Sequence, residues 1–203
     1  MEEQLSRKEK QESLAAAGSR QWLMLSLLSA AVYGLLAFLV FYFFRDTGLL
    51  SAFEHGCPPL VQLAIGGFTG GVASLVIWLV VIRSPVRKVL DDFHLIQAIS
   101  RASFTPFDRI QLSLFAGAGE ELLFRGALQP LLGIAATSVI FVGLHGYFKF
   151  SSPAHLLFGA VMFGLSVGLG YLFEQAGLLA AMSAHAVYDM LMLYAIQHRQ
   201  SGA

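Results

Sequence analysis

The sequence predicts an all-α protein, a polytopic membrane helical bundle of about six transmembrane helices with a cytoplasmic amphipathic helix. Three observations carry that expectation. The 203 residues are 56% hydrophobic and only 13% charged, whereas a soluble domain is about 45–50% apolar and about 25% charged. Apolar runs of about 20 residues, enough to cross the hydrocarbon core, recur along the chain. The basic residues are also distributed unevenly among the connecting segments. Thirteen basic and thirteen acidic side chains cancel, so charge gives no reason to expect a nucleic-acid partner. An aromatic content of 12% and a single cysteine, Cys57, exclude a disordered chain and a disulfide scaffold.

Taken in order, residues 1–21 are polar, of mixed charge, and read as a cytoplasmic N-terminal segment. No small-residue cleavage pattern follows the first apolar run, so that run reads as a retained anchor. The first span, Trp22–Phe44, ends at Arg45-Asp46. The second, Leu60–Ile82, opens at Pro58-Pro59 and closes at Arg83. Val86, Val89, Leu90, Phe93, Ile96 and Ile99 then fall on one helical face, with Arg87, Lys88, Asp91 and Asp92 opposite. That spacing suits an amphipathic helix lying on the membrane surface, or a connecting helix packed on the bundle. Four more spans are expected at Ile110–Leu128, Leu132–Phe150, Pro153–Phe173 and Leu178–Gln197. They are separated by Pro130 and Gly133, by Ser151-Ser152-Pro153, and by Glu174 to Gly177. The chain thus divides into 1–21, a linker-bearing pair of extra helices at 22–109, and a four-helix core at 110–198.

With the N-terminus inside, eleven basic residues fall on the cytoplasmic side: Arg7, Lys8, Lys10, Arg20, Arg83, Arg87, Lys88, Arg101, Arg109, Lys149 and Arg199. Only Arg45 falls outside, and Arg125 lies within a span. The positive-inside rule therefore predicts both termini in the cytoplasm. Gly66 with Gly70, Gly67 with Gly71, and Gly164 with Gly168 are each four apart, which predicts close helix contacts.

Ionisable residues within the last four spans point to function, because a charge at that depth costs several kcal/mol by most scales. The third span contains Gly119-Glu120-Glu121-Leu122-Leu123-Phe124-Arg125. The fourth contains Phe141-Val142-Gly143-Leu144-His145, and the sixth His185-Ala186-Val187-Tyr188-Asp189. Glu121 and Arg125 share a helical face and can pair. Glu120 is turned about 100° away and can point at a neighbouring helix. His185 and Asp189 share a face as well. One pocket between the midplane and the cytoplasmic side can collect Glu120, His145 and His185. Glu120 with His145 could take a proton from water for attack on a carbonyl. His185 and residue 189 could then stabilise the oxyanion. His55, His94, His155 and His198 read as structural or solvated.

At these residues the sequence resembles a known family. Glu-Glu-x-x-x-Arg at 120–125, Phe-x-x-x-His at 141–145 and His-x-x-x-Asp at 185–189 match, in order, the three motifs of the CAAX protease and bacteriocin-processing (CPBP, or Abi) proteins. That family includes the type II CAAX prenyl endopeptidases. The resemblance implies an intramembrane endopeptidase acting on a membrane-associated peptide or protein substrate. Glu120 and His145 would activate the water, His185 and Asp189 would hold the oxyanion, and Glu121, Arg125 and Phe141 would support the site. Family members often carry Asn where this chain has Asp189. An ionised Asp cannot donate to an oxyanion, so Asp189 must be protonated or must orient His185. The resemblance favours a metal-free, glutamate-dependent mechanism without a cofactor. The alternative is zinc held by Glu120, His145 and His185, a recognised catalytic set, although the usual His-Glu-x-x-His helix is absent.

The expected location is the bacterial inner membrane, with lipid as the surrounding partner. Substrate, cut site and oligomeric state are not legible. Two rival classes remain open at this point: a non-catalytic membrane binding or immunity protein, and a proton-coupled transporter. The latter is disfavoured by the lack of paired broken helices in matching halves.

Overall fold

The computed structural model describes residues 18–200, so most of the polar segment 1–21 lies outside the described residues. All of its regular elements are helical. The long apolar helices are α1 (Ser19–Phe44) and α2 (Pro59–Arg83). A connector with a short helix α3 (His94–Arg101) leads to α4 (Pro106–Glu121). The chain continues through a π-helical stretch, Leu122–Leu128, into α5 (Gln129–Leu144). It ends with α6 (Pro153–Ala176) and α7 (Leu178–Gln200).

Prolines start α2, α4 and α6, where a missing N–H is harmless and the fixed φ suits the first helical turn. Thr105 caps α4: its hydroxyl accepts from the Asp108 N–H at 3.2 Å, and the Asp108 carboxylate accepts from the Thr105 N–H at 2.9 Å. That reciprocal pair satisfies two donors that the helix end leaves free.

Among the described residues, five stretches are long and apolar enough to cross a membrane: Ser19–Phe44, Pro59–Val81, Pro106–Leu144, Pro153–Ala176 and Leu178–His198. The third is a folded pair. Gly133 has φ 78° and ψ 167°, a conformation a residue with a Cβ rarely adopts. The chain reverses there. Phe124 meets Phe141 with ring centroids 5.0 Å apart, and Glu120 meets His145, pairs spaced symmetrically about residue 133. The bundle therefore has six helical limbs, with the break near Pro130 and Gly133 that the sequence predicts. The span expected over Leu132–Phe150 is shorter than that: after Gly133 it runs only to Leu144, about 16 Å at 1.5 Å per residue. Gly146, at φ 69°, turns the chain out of the helix, and the segment up to Ser152 is irregular.

Helix α7 sits at the centre, packed mainly against α2 and α4. Small residues make this possible. A Cβ on Gly66 or Gly70 would collide with the carbonyl oxygens of Ala180 and Ala184, and one on Gly117 would lie 2.8 Å from that of Met182. The pair Gly164 and Gly168, read from sequence as a helix contact, has nothing within 4 Å of either added Cβ. It lines an open groove.

The connector also differs from expectation. Pro85–Lys88 and Leu90–Asp92 are separate 3-10 turns, and α3 follows only after Phe93 adopts extended backbone. The expected faces persist. Val86, Leu90, Phe93 and Ile96 are buried, while Arg87, Lys88, Asp91 and Asp92 are exposed. The apolar face is turned onto the protein, so the packed-connector alternative holds. Phe93 lies 4.5 Å from Phe158, Asp92 pairs with His155 at 3.1 Å, and Lys149 donates to the Asp92 carbonyl. His155, read from sequence as structural or solvated, is buried in this structural role.

Both described ends lie at one face. Ser19 donates to Asp108 at 2.9 Å, Arg109 to Gln197 at 2.7 Å, and Gln197 to the Ala102 carbonyl at 3.0 Å. The opposite face is closed where the Cys57 N–H meets the Ala176 carbonyl and His55 meets that of Glu174. Large apolar side chains stand exposed along the outer helices, among them Leu28, Leu35 and Phe38 on α1 and Leu60, Phe68 and Leu75 on α2. So broad an apolar surface is stable against lipid and not against water. This is an integral membrane protein.

Candidate active site

Glu120 and Glu121 end α4, at the point where the helix widens into the π-helical stretch. Such widened turns recur at functional sites, since they re-aim side chains within an otherwise continuous helix. The two carboxylates face different surroundings.

Glu121 is fully buried. One oxygen, Oε2, lies 3.1 Å from Nε of Arg125, itself fully buried. The Arg125 guanidinium donates to the carbonyl and hydroxyl of Ser166 on α6, at 2.8 and 2.9 Å, and lies 5.0 Å over the Phe141 ring. The other oxygen, Oε1, is 2.7 Å from Nδ1 of His185 on α7. A carboxylate paired with arginine accepts, so Nδ1 of His185 carries the proton. A single buried ion pair thus ties α4, α6 and α7 together and sets the tautomer of a histidine.

Glu120 faces the other way, as its offset along the helix predicts. Its Oε2 has no hydrogen-bond partner and lies 3.5 Å from Nε2 of His145 and 3.9 Å from Nε2 of His185. Nδ1 of His145 is 2.8 Å from the Phe141 carbonyl. A carbonyl only accepts, so this nitrogen also carries a proton. Both imidazoles are therefore anchored through Nδ1 and turn Nε2 toward the same carboxylate oxygen. Phe141 holds His145 from below, its ring 4.3 Å away by centroid. Oδ2 of Asp189 lies 3.4 Å from Nε2 of His185, so residue 189 pairs with that histidine as the shared helical face predicts.

Three carboxylates and one guanidinium leave two negative charges in the cluster. A neutral imidazole Nε2 and a carboxylate oxygen are both acceptors. A water seated against His145 and Glu120 satisfies both by donating one proton to each.

All seven residues singled out from sequence, Glu120, Glu121, Arg125, Phe141, His145, His185 and Asp189, are brought together. Their depth differs from expectation: Glu120 is about 21 Å along α4 from Pro106, while His185 is about 10 Å along α7 from Leu178. The cluster therefore sits near mid-bundle. A cavity of about 330 Å³ runs from it toward the face that holds both described ends, with Leu90, Leu95, Ile96 and Ile99 of the connector among its lining. That lining is almost wholly apolar apart from the site residues.

Sequence reasoning missed three contributors. Ser166 anchors Arg125. Tyr147 stacks on His145 with centroids 5.5 Å apart and lines the cavity. Burial pushes its phenol above the ordinary range, and the charges of Asp189 and Glu120 add to this, so it remains an O–H donor. Tyr33 of α1 packs beside the turn that carries Glu120, its ring 6.3 Å by centroid from Phe124. A polar ring two residues beyond His145 was the available signal for Tyr147; for Tyr33 there was none.

The model of the family described as "Type II CAAX prenyl endopeptidase Rce1-like" matches residues 102–191. The uncharacterized protein YpbD of Bacillus subtilis (strain 168) is 41% identical over 81 residues, which is 39% of this chain. The chain spans about two fifths of that relative's length, the aligned part being 41% of it. No solved structure matches the chain. All three motifs fall inside the matched stretch, residues 102–191, which is similar to the type II CAAX prenyl endopeptidase family, and their side chains gather around one cavity.

Proposed function

We propose that the protein is an endopeptidase that hydrolyses a peptide bond in a membrane-proximal substrate, with Glu120 and His145 activating the water. The observation that supports this best is the convergence of Glu120 Oε2 with Nε2 of His145 and of His185, at 3.5 and 3.9 Å, at the end of an apolar cavity. The water gives one proton to Glu120 as its oxygen attacks the scissile carbonyl. The carbonyl oxygen becomes an oxyanion and accepts a hydrogen bond from Nε2–H of a protonated His185. Asp189 pairs with that nitrogen and favours its proton. Collapse of the tetrahedral centre breaks the C–N bond, and Glu120 returns its proton to the leaving amine. The products are a carboxylic acid and an amine, the acid then losing its remaining proton to the amine or to water, and Glu120 is regenerated.

Glu121 and Arg125 have no contact with reacting atoms in this scheme. They fix His185 through Nδ1, the arrangement that keeps a donor aimed where charge develops. The apolar cavity suits a substrate that carries a lipid-like chain or a membrane-embedded segment beside its scissile bond. The CAAX-like end of a lipidated protein, a sorting tail and a peptide leader all meet that description. We place both termini at the cytoplasmic side of a bacterial inner membrane, from the eleven-to-one bias of basic residues.

Zinc held by Glu120, His145 and His185 is the alternative. Among the described residues no group of three or more His, Cys, Asp or Glu is arranged to hold a metal ion; the effect of a strong zinc chelator on cleavage separates the two routes.

The test compares protein termini in membranes from cells expressing wild type or Glu120→Gln at equal levels. Termini produced only by the wild type are expected, and their sequences identify the substrate. Identical sets of termini, in cells where the protein has a phenotype, contradict the proposal and favour a binding protein.

A further inference from the structure

Buried polar atoms without a partner are rare in folded proteins, and each calls for an explanation. Two of them belong to residues that line the cavity away from the catalytic cluster: the Ser113 hydroxyl and Nε1 of Trp22. Ser113 is 2% exposed and Trp22 9%. Ser113, Ala116 and Glu120 follow one another at helical spacing along α4, and all three line the cavity. Ser113 therefore lies on the stripe that carries Glu120, about 10 Å nearer the face that holds both described ends. Trp22 comes from α1, outside the matched stretch. Ser19 donates to Asp108 and Ser26 to Oε1 of Gln111, at 2.9 and 3.0 Å. These contacts bracket Trp22 and set it at the height of the first two turns of α4, the second of which ends at Ser113. Its ring packs edge-on to Phe104, with centroids 4.8 Å apart.

An indole N–H only donates, and a hydroxyl donates as readily as it accepts. Both groups are served by an acceptor. No Lys or Arg is among the described residues that line the cavity, so a carboxylate brought there would be buried without a cation. A peptide carbonyl is a neutral acceptor and carries no such cost. An extended chain advances about 3.3 Å per residue, so the separation of Glu120 and Ser113 spans about three residues. We propose that Ser113 and Trp22 form a substrate subsite that hydrogen-bonds a backbone carbonyl about three residues from the scissile bond. The inference rests on the protease reading of Glu120. It makes α1 part of substrate binding and makes the cavity a selector of extended chains.

The test uses the full-length protein in proteoliposomes. The probe is an internally quenched peptide with a farnesylated cysteine at its centre, and mass spectrometry of the products locates the cut. A thioamide then replaces each backbone amide of the probe in turn. Its sulfur is a poor acceptor, and it quenches tryptophan emission on contact. At one position, about three residues from the cut, the thioamide should raise KM about twofold to tenfold, the range for one neutral hydrogen bond. kcat should not change, since the bond is made in ground and transition states alike. Ser113→Ala should raise KM by a similar factor with melting unchanged. The thioamide should cost less in that variant than in wild type, and nothing once Trp22→Phe is added.

Binding supplies a readout independent of turnover. The chain has two tryptophans, so Trp78→Phe leaves Trp22 as the reporter, and Glu120→Gln keeps the probe whole. The same thioamide position should quench Trp22 emission, and distant ones should not. A thioamide cost that is undiminished in the double variant overturns the inference, as does Trp22 emission that no position quenches. Tighter binding of a probe truncated to a free carboxylate at that residue overturns the assignment to a carbonyl. If the wild type leaves the probe uncut, the protease reading fails for that substrate, and the quenching scan decides the subsite alone.

Discussion

Two glutamates adjacent in sequence have opposite environments. Glu121 is sealed among Arg125, Ser166 and His185, with charge matched to charge and no exposure. Glu120 stands at the wall of a cavity with two imidazoles turned toward it; its Oε2 has no hydrogen bond, whereas Oε2 of Glu121, also without one, is held by its ion pair with Arg125. The contrast teaches how a membrane protein can keep a reactive carboxylate. The sealed side is rigid and fixes the histidine of α7 by one nitrogen. The open side leaves the other nitrogen and the neighbouring carboxylate for water and substrate. Stability resides in one half of the cluster and chemistry in the other.

The largest effect expected on the sealed side comes from Arg125→Met, which strands the Glu121 carboxylate without its cation. Loss of one partner from a buried pair costs roughly 3–5 kcal/mol, readable as a large drop in the detergent melting temperature. Replacing both members, Glu121→Leu with Arg125→Met, should recover much of that stability. It should not recover turnover, because His185 has then lost the acceptor at Nδ1. Recovery of both would merge the two roles and break the comparison.

A smaller effect is expected at the helix contacts. Gly70→Leu drives a side chain into the backbone of α7 and should cost about 1–3 kcal/mol, as overpacking does. Gly164→Leu projects into open space and should change melting little. Equal losses from the two would return Gly164 to a helix interface.

Asp189→Asn should change turnover by less than about tenfold, since an amide can still hydrogen-bond the imidazole, whereas Asp189→Leu should cost about a hundredfold or more. The smallest effect is expected from chelation: incubation with a strong zinc chelator should leave the cleavage rate unchanged. A rate lost to the chelator and restored by zinc would favour the metal route.

Much of this site was legible in the sequence because intramembrane charge is expensive and therefore conspicuous. Glu120, Glu121, Arg125, His145, His185 and Asp189 stand out from the apolar runs around them, and four-residue spacing correctly pairs Glu121 with Arg125 and His185 with Asp189. The reversal near Gly133 was visible as a break. Its consequence was not: hydropathy continues past Leu144 to Phe150 although the helix does not, and of that segment Tyr147 packs against Phe93 of the connector while Phe150 stands exposed. Tyr33 was invisible for a different reason. α1 is apolar on every side, so no periodicity marks the face turned to the protein, and Tyr33 is far in sequence from Glu120. The connector kept its predicted faces while losing its predicted continuity, since burial of Val86 and Phe93 depends on which way side chains point and tolerates breaks at Val89 and Phe93.

The most direct test of the division of labour measures cleavage and melting together for Glu120→Gln and Glu121→Gln in the same membranes. Glu120→Gln should abolish the wild-type termini while melting like the wild type. Glu121→Gln should melt well below it, weakening the buried pair with Arg125. If Glu120→Gln still cuts its substrate, or if the two substitutions behave alike in both measurements, the two glutamates do not have the separate roles assigned to them.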